Sequence, residues 1–225
     1  MTIEKASNAK ASNIKMVVYG KPATQKTRFA CNGIKKGIIL DLEKGLGSTE
    51  NIEDLDRVAI NTAQDFAQAI QYLSENPDKY ETVIIDSMTA YGEKLFLALS
   101  DIYPEKKDGM NKWGDFDTLS RKRYDQIIDL KMNVIMIFLE DEMVIEGFNA
   151  SYPLYKAKKF TAGLLAAPSI AAHAVKDNDG EVIYDIIGNS EAVAKNRFYN
   201  ELKNKKLATN GDIKTFQELI DTIQS

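Results

Sequence analysis

Three residues near the amino terminus have the types and spacing to hold a polyphosphate. In "MVVYGKPATQKTRFA", residues 16–30, an apolar run ends at Gly20, and Lys26 and Thr27 follow after five intervening residues. A lysine so placed reaches the β- and γ-phosphates of a nucleotide, and the hydroxyl after it ligates Mg2+. A strand–loop–helix turn adds converging backbone N–H groups and the positive end of a helix dipole. The spacing fits the phosphate-loop pattern G-x-x-x-x-G-K-[ST] except at one place, where Gln25 stands for the second glycine. Glycine there accepts a positive φ, whereas a residue with a Cβ held left-handed costs about 1–2 kcal/mol. A folded domain can absorb that, so the loop is expected to keep its shape. The Gln25 side chain then either crowds the β-phosphate or points away. ATP and Mg2+ are the expected cofactors. The expected contacts are Gly20, Lys21, Pro22, Ala23, Thr24, Gln25, Lys26, Thr27 and Arg28.

Two carboxylates could complete such a site. Asp86 ends the apolar run "TVIID", and a strand-end carboxylate at the rim of an open α/β sheet can hold the Mg2+ shell through water. Thr27 and Asp86 are therefore the expected metal pair. Glu43, in "ILDLEKG", could polarise an attacking water as general base. Each also has a plainer reading: Asp86 as the cap of a turn, Glu43 as a solvated acid.

These residues need strands and helices in a fixed order to meet. Apolar runs at 14–19, 37–42 and 57–61, "ETVIIDS" and "NVIMIFLE" read as strands. Continuous apolar strands separated by helices indicate a parallel sheet buried on both faces. A short helix is expected from Lys26. The segment "TAQDFAQAIQYLSENP" is a second helix, with Thr62 and Asp65 as a capping box and Phe66, Ala69, Ile70 and Leu73 on one face. Further helices are expected at about 90–100, 116–130 and 214–223, with "PEKKDGMNKWG" as a polar loop. The last third, with "MVIEGF", "AAHAVKDNDGEVIYDII" and "VAKNRF", suggests shorter strands and a hairpin turning at 178–180. The expected fold is α/β, a mostly parallel sheet flanked by helices with C-terminal antiparallel strands. It forms one domain over 1–225, with a polar arm at 1–13 and a helical tail at 204–225.

Composition narrows the alternatives. A net charge of −4 does not advertise a nucleic-acid binder, so such a role must rest on local basic patches. One cysteine, Cys31, excludes an internal disulfide and fits a reducing cytosol. With one Cys and one His, no zinc site can be built from soft ligands. His173 reads as a structural strand residue, and Ser87 has no histidine nearby in sequence to form a hydrolase triad. No run approaches the ~20 apolar residues that span a bilayer, so no membrane association is expected.

The segments "VVYGKPATQKT", "ILDLEKG", "YETVIIDSMTAY", "KWGDF", "NVIMIFLEDE" and "VAKNRF" occur in an order that resembles phage-encoded RecA-like ATPases. These are phage nucleotide-binding proteins of the AAA type, linked to single-strand annealing recombination. The resemblance spans roughly residues 3–203. It implies a RecA-like P-loop NTPase core in the host-cell cytoplasm, with Lys26 and Thr27 on phosphate and Mg2+, Asp86 as the Walker B acid and Glu43 as catalytic base. It also implies that Lys195 and Arg197, in "AKNRF", reach a neighbouring subunit's nucleotide, so a homo-oligomer is the expected form; otherwise 195–206 is a solvated basic segment. The chain departs from this pattern at Ala23 and Gln25, and at Leu139, where a polar γ-phosphate sensor is usual. A leucine cannot polarise water, so binding is expected with hydrolysis slow or lost.

Single-stranded DNA is the expected partner. It needs positive charge beside aromatic platforms. "SYPLYKAKKF" offers Tyr155, Lys156, Lys158 and Lys159, and "PEKKDGMNKWG" offers Trp113 with Lys106, Lys107 and Lys112. The alternative is a non-catalytic DNA-binding or assembly module with a vestigial nucleotide site. A small-molecule kinase would want an arginine-rich lid, which the chain's five arginines, Arg28, Arg57, Arg121, Arg123 and Arg197, do not form.

Overall fold

The computed structural model describes residues 13–45, 52, 55–104, 108–145 and 148–225. The expected polar arm and the lysines at 106 and 107 thus lie almost wholly outside the described residues. Each apolar run forms its strand: β1 (Lys15–Tyr19), β2 (Gly37–Asp41), β4 (Thr82–Asp86) and β5 (Asn133–Phe138), all buried along their length. β3 (Leu55–Ala59) begins two residues before its expected start and is largely exposed. Further strands are β6 (Glu140–Ile145), β7 (Phe148–Pro153), β8 (Ile170–Lys176), β9 (Val182–Asp185) and β10 (Lys195–Asn196).

The main sheet runs β10-β8-β1-β5-β4-β2-β3, with β9 also paired to β8. Its central strands are parallel, and β9 and β10 are antiparallel additions. The carboxyl ends of β1, β2, β4 and β5 therefore share one rim. β6 and β7 form a separate two-stranded sheet directly after β5.

Helices cover both faces because successive strand side chains point to opposite sides of the sheet and both sides are buried. Val17 and Tyr19 face α2 (Ala63–Glu75), α3 (Met88–Ile102) and α4 (Gly109–Ile128). Met16 and Val18 face α1 (Lys26–Cys31) and α7 (Phe216–Gln224). The Thr62–Asp65 capping box of α2 forms as its sequence indicates. α4 starts well before the expected residue 116, consuming the end of the expected polar loop. Trp113 and Phe116 pack on Phe96 of α3, and that contact outweighs the weak helix propensity of Gly109 and Gly114. α5 (Lys158–Leu164) and α6 (Tyr199–Leu202) complete the set. The C-terminal segment is part of the core: Phe216, Leu219 and Ile220 are buried against the α1 face.

Gly20, which joins β1 to the loop, has an ordinary φ, and its small size serves packing. A Cβ there would stand 2.3 Å from the Ala174 carbonyl oxygen of β8. Gly20→Ala is expected to destabilise the protein by about 1–3 kcal/mol, as overpacking does. Urea unfolding should show a lower midpoint at unchanged slope; an unaltered midpoint would mean that β8 can retreat.

Candidate functional site

At the shared rim a cleft of about 610 Å3 is lined by Pro22–Arg28, Glu43, Asp86, Ser87, the end of β5 at Ile137 and Phe138, and Leu139 just past it. Lys26, Thr27, Glu43 and Asp86 thus meet, although 60 positions separate the first and last of them. Gly20 sits behind the loop, and Lys21 turns to a neighbouring cleft.

The loop backbone is left-handed at two residues, Ala23 (φ 65°) and Gln25 (φ 51°). Those are the two positions where the sequence lacks glycine. Left-handed residues alternating with ordinary ones form the backbone pattern of an anion-binding concavity. The strain, about 1–2 kcal/mol per residue, is offset by local bonds. The Gln25 carbonyl accepts from Phe29 N at 2.9 Å and the Tyr184 hydroxyl at 3.3 Å, and Thr24 Oγ1 donates to the Lys21 carbonyl at 2.8 Å. α1 has only six residues, so its dipole adds little and the loop amides and Lys26 carry the positive potential.

Lys26 Nζ donates to the Gly20 carbonyl at 2.8 Å, the Lys21 carbonyl at 2.7 Å and Thr24 Oγ1 at 3.2 Å. Burial pulls its pKa down to about 8, against Asp86 and Glu43, which pull it up. Thr27 Oγ1 donates to Asp86 Oδ2 at 2.6 Å. Burial pushes Asp86 up to about 6, countered by the Thr27 hydrogen bond and reinforced by Glu43 and Asp41. The hydroxyl and carboxylate are oxygen donors of the kind Mg2+ takes, and two protein oxygens suit an ion that keeps waters and phosphate oxygens as its other ligands. Among the described residues no three His, Cys, Asp or Glu side chains form a ready-made metal cage.

Asp86 yields a testable sign. Its folded pKa lies above its unfolded value, so its contribution to stability is fully present below about pH 4 and is lost as pH rises through about 6. At pH 7.5 the fold carries an ionised, buried carboxylate. Asp86→Asn is therefore expected to melt higher than the parent at pH 7.5, with the difference closing toward pH 5. Thermal melts across that range check it; a parent that melts higher at pH 7.5 would contradict the electrostatic account.

Glu43 lies on the turn after β2, and its Oε1 accepts from Ser87 Oγ. Two residues that the sequence reading passed over hold that turn. Asp41, 1% exposed, accepts from Lys44 N through Oδ1 and from Arg57 Nε and Nη2 through Oδ2. Lys44 itself is left-handed, at φ 60°. Arg57 is on the edge strand β3, so the outer strand anchors the Glu43 turn.

β5 lies between the strand feeding the loop and the strand ending in Asp86. Its end places Leu139 in the cleft wall as an apolar group. The next residue, Glu140, turns to His173 Nε2 at 2.8 Å and to Lys21 at 3.8 Å. His173 stacks on Tyr19, with ring centroids 5.0 Å apart. It is a strand residue with a polar partner, a pairing that a separation of 33 positions hid from the sequence.

Lys195 and Arg197 do not reach this chain's cleft. Lys195 pairs with Ala171 near the start of β8, and both side chains donate to the carbonyls that end α5, Leu165 and Ala166 for Lys195 and Ala166 for Arg197. Tyr155 is 2% exposed, its hydroxyl bonded to Ser120 and its ring so close to Gly92 that a Cβ there would stand 2.9 Å away. Such a ring has no face free for a base, so Tyr155 belongs to the core. Lys156 pairs with Glu93 at 2.7 Å and lies 4.6 Å from the Phe96 ring centre. The side chains of Lys158 and Lys159 lie outside the described residues. Trp113 remains 44% exposed, beside Lys112.

The family model described as AAA domain matches residues 12–198. No curated protein matches the chain. No helix among the described residues is long and apolar enough to cross a membrane.

Proposed function

Because the chain belongs to the AAA domain family, we propose that its cleft binds ATP with Mg2+ and hydrolyses it to ADP and phosphate. One observation carries the reading: Lys26, Thr27, Asp86 and Glu43 line a single cleft beside a loop with two left-handed residues. Mg2+ would supply charge neutralisation at the phosphates and orientation of the reacting oxygens. Thr27 and Asp86 hold it, and Lys26 and the loop N–H groups hold the β- and γ-phosphates. Glu43 takes a proton from a water as the water oxygen bonds to the γ-phosphorus and the bond to the β,γ-bridging oxygen breaks. Ser87 fixes the Glu43 carboxylate for that transfer.

The finer reading is a RecA-like phage recombination protein that acts on single-stranded DNA as a homo-oligomer. It is supported by the motif order of the sequence and by the position of Lys195 on the edge strand β10 and Arg197 just past its end, away from their own cleft. A cation delivered by a neighbour would couple turnover to assembly. Leu139 and Gln25 favour a second reading, a binding module with little turnover, because the apolar Leu139 cannot orient the attacking water and Gln25 puts a side chain where the loop usually has glycine.

Steady-state phosphate release with and without single-stranded DNA separates the two. A DNA-stimulated rate supports the enzyme; DNA binding with no turnover supports the module; neither would remove the recombination reading. Gln25→Gly is expected to raise turnover more than affinity, by relieving side-chain crowding at the β-phosphate. An unchanged rate would transfer the limitation to Leu139.

A further inference from the structure

A second cleft, of about 720 Å3, opens on the far side of the first turn of α1. It shares Gln25 and Arg28 with the phosphate cleft, so the two clefts flank that turn. Its volume is within the usual range for a small-molecule pocket, about 300–1,000 Å3. One wall is α1, through Asn32. The other comes from the β8–β9 turn at Asp179 and from the C-terminal segment 209–218, which includes Asn210 and Glu218. That segment lies past residue 198, where the family match ends.

The direction of a bound polyphosphate follows from the site just described, and the inference rests on that reading. Thr27, Asp86 and Glu43 fix the γ end. A chain of phosphates running along the loop from there leaves over Arg28, which is exposed at the junction of the two clefts. The opposite exit leads to a smaller cleft of about 390 Å3, in which Glu140 is already paired with His173 and Lys21; both clefts carry acidic and basic side chains, and the larger one has the room for a nucleoside. Phe29 and Tyr184 line the larger cleft, but they pack on each other at 4.2 Å and are at most 2% exposed. Recognition there must come from hydrogen bonds at the edges of a ligand, with little ring stacking. The amides of Asn32 and Asn210 each present a donor and an acceptor, the pair that matches the N6 and N7 edge of adenine.

We propose that the cleft between α1 and segment 209–218 holds the adenosine half of the nucleotide, and that Asn32 and Asn210 read its base. The C-terminal segment is then a specificity element that this chain adds beyond the AAA domain.

The test compares calorimetric binding of Mg-ATP and Mg-tripolyphosphate to the full chain. The parent is expected to bind ATP at least about tenfold more tightly than tripolyphosphate, since lost hydrogen bonds to a built site are costly. Asn32→Trp and Asn210→Trp fill the cleft from opposite walls. Each should abolish that preference and leave tripolyphosphate affinity unchanged. Equal affinity of the parent for both ligands, or folded variants that keep the preference, would overturn the proposal. Lys26→Ala should weaken both ligands together; if it changes neither, the phosphate site itself is wrong and the failure lies with the earlier reading. If the tryptophan variants do not fold, photolabelling of the unaltered protein with 8-azido-ATP decides. Label in 28–36 or 209–218 supports the assignment, and label around Glu140 and His173 overturns it.

Discussion

Lys26→Ala is expected to weaken Mg-ATP binding by about two orders of magnitude or more, since it removes charge-assisted hydrogen bonds of about 1.5–3 kcal/mol each. The substitution has a second effect that must be separated from the first. The ammonium also ties together the carbonyls of Gly20 and Lys21 and the Thr24 hydroxyl. Without it the loop loses internal bonds, so the melting temperature of the variant has to be read alongside its affinity. Titration of the parent with pH supplies an independent check that needs no mutation. The complex requires the ammonium form, and the free protein gives up that proton near pH 8. Affinity should therefore fall as pH rises from 7 to 9. An affinity that holds constant over that interval would take Lys26 off the phosphates.

Glu43→Gln should depress phosphate release by about 10²–10⁴-fold, the usual contribution of a general base, while nucleotide affinity stays near that of the parent. Glutamine keeps an oxygen that can accept from Ser87 Oγ, so the turn after β2 should persist. A rate that survives the substitution would locate the base elsewhere, and Glu140 would be the next residue to replace. Loss of affinity in step with rate would make Glu43 a binding residue.

The parts of this site that could be read from sequence are those encoded within a few neighbouring residues. The strand–loop–helix turn around Gly20 and Lys26, the strand ending in Asp86 and the capping box at Thr62 are local patterns, and each formed where expected. The parts that stayed hidden depend on contacts between distant segments. Asp41 and Arg57 are linked across β2 and β3, and Glu140 meets His173 across β1. Tyr155 reads as an aromatic in a basic stretch; only the groove left by Gly92 shows why it is interior. The C-terminal helix looks like a tail because its apolar face, Phe216, Leu219 and Ile220, has no visible partner until α1 is placed against it.

The pairing of Asp86 with Thr27 has a bearing on the form in which nucleotide arrives. Two carboxylates, Asp86 and Glu43, stand against Lys26 and Arg28 in the cleft, so its side chains leave little net charge to attract an uncomplexed ATP tetra-anion. A divalent ion arriving with the nucleotide would lower that negative charge, and Asp86 and Thr27, now hydrogen-bonded to each other, are the residues that would hold it. On the proposed reading, ATP stripped of its metal by a chelator should bind more weakly than Mg-ATP, and the supply of magnesium would set how much of the protein is loaded.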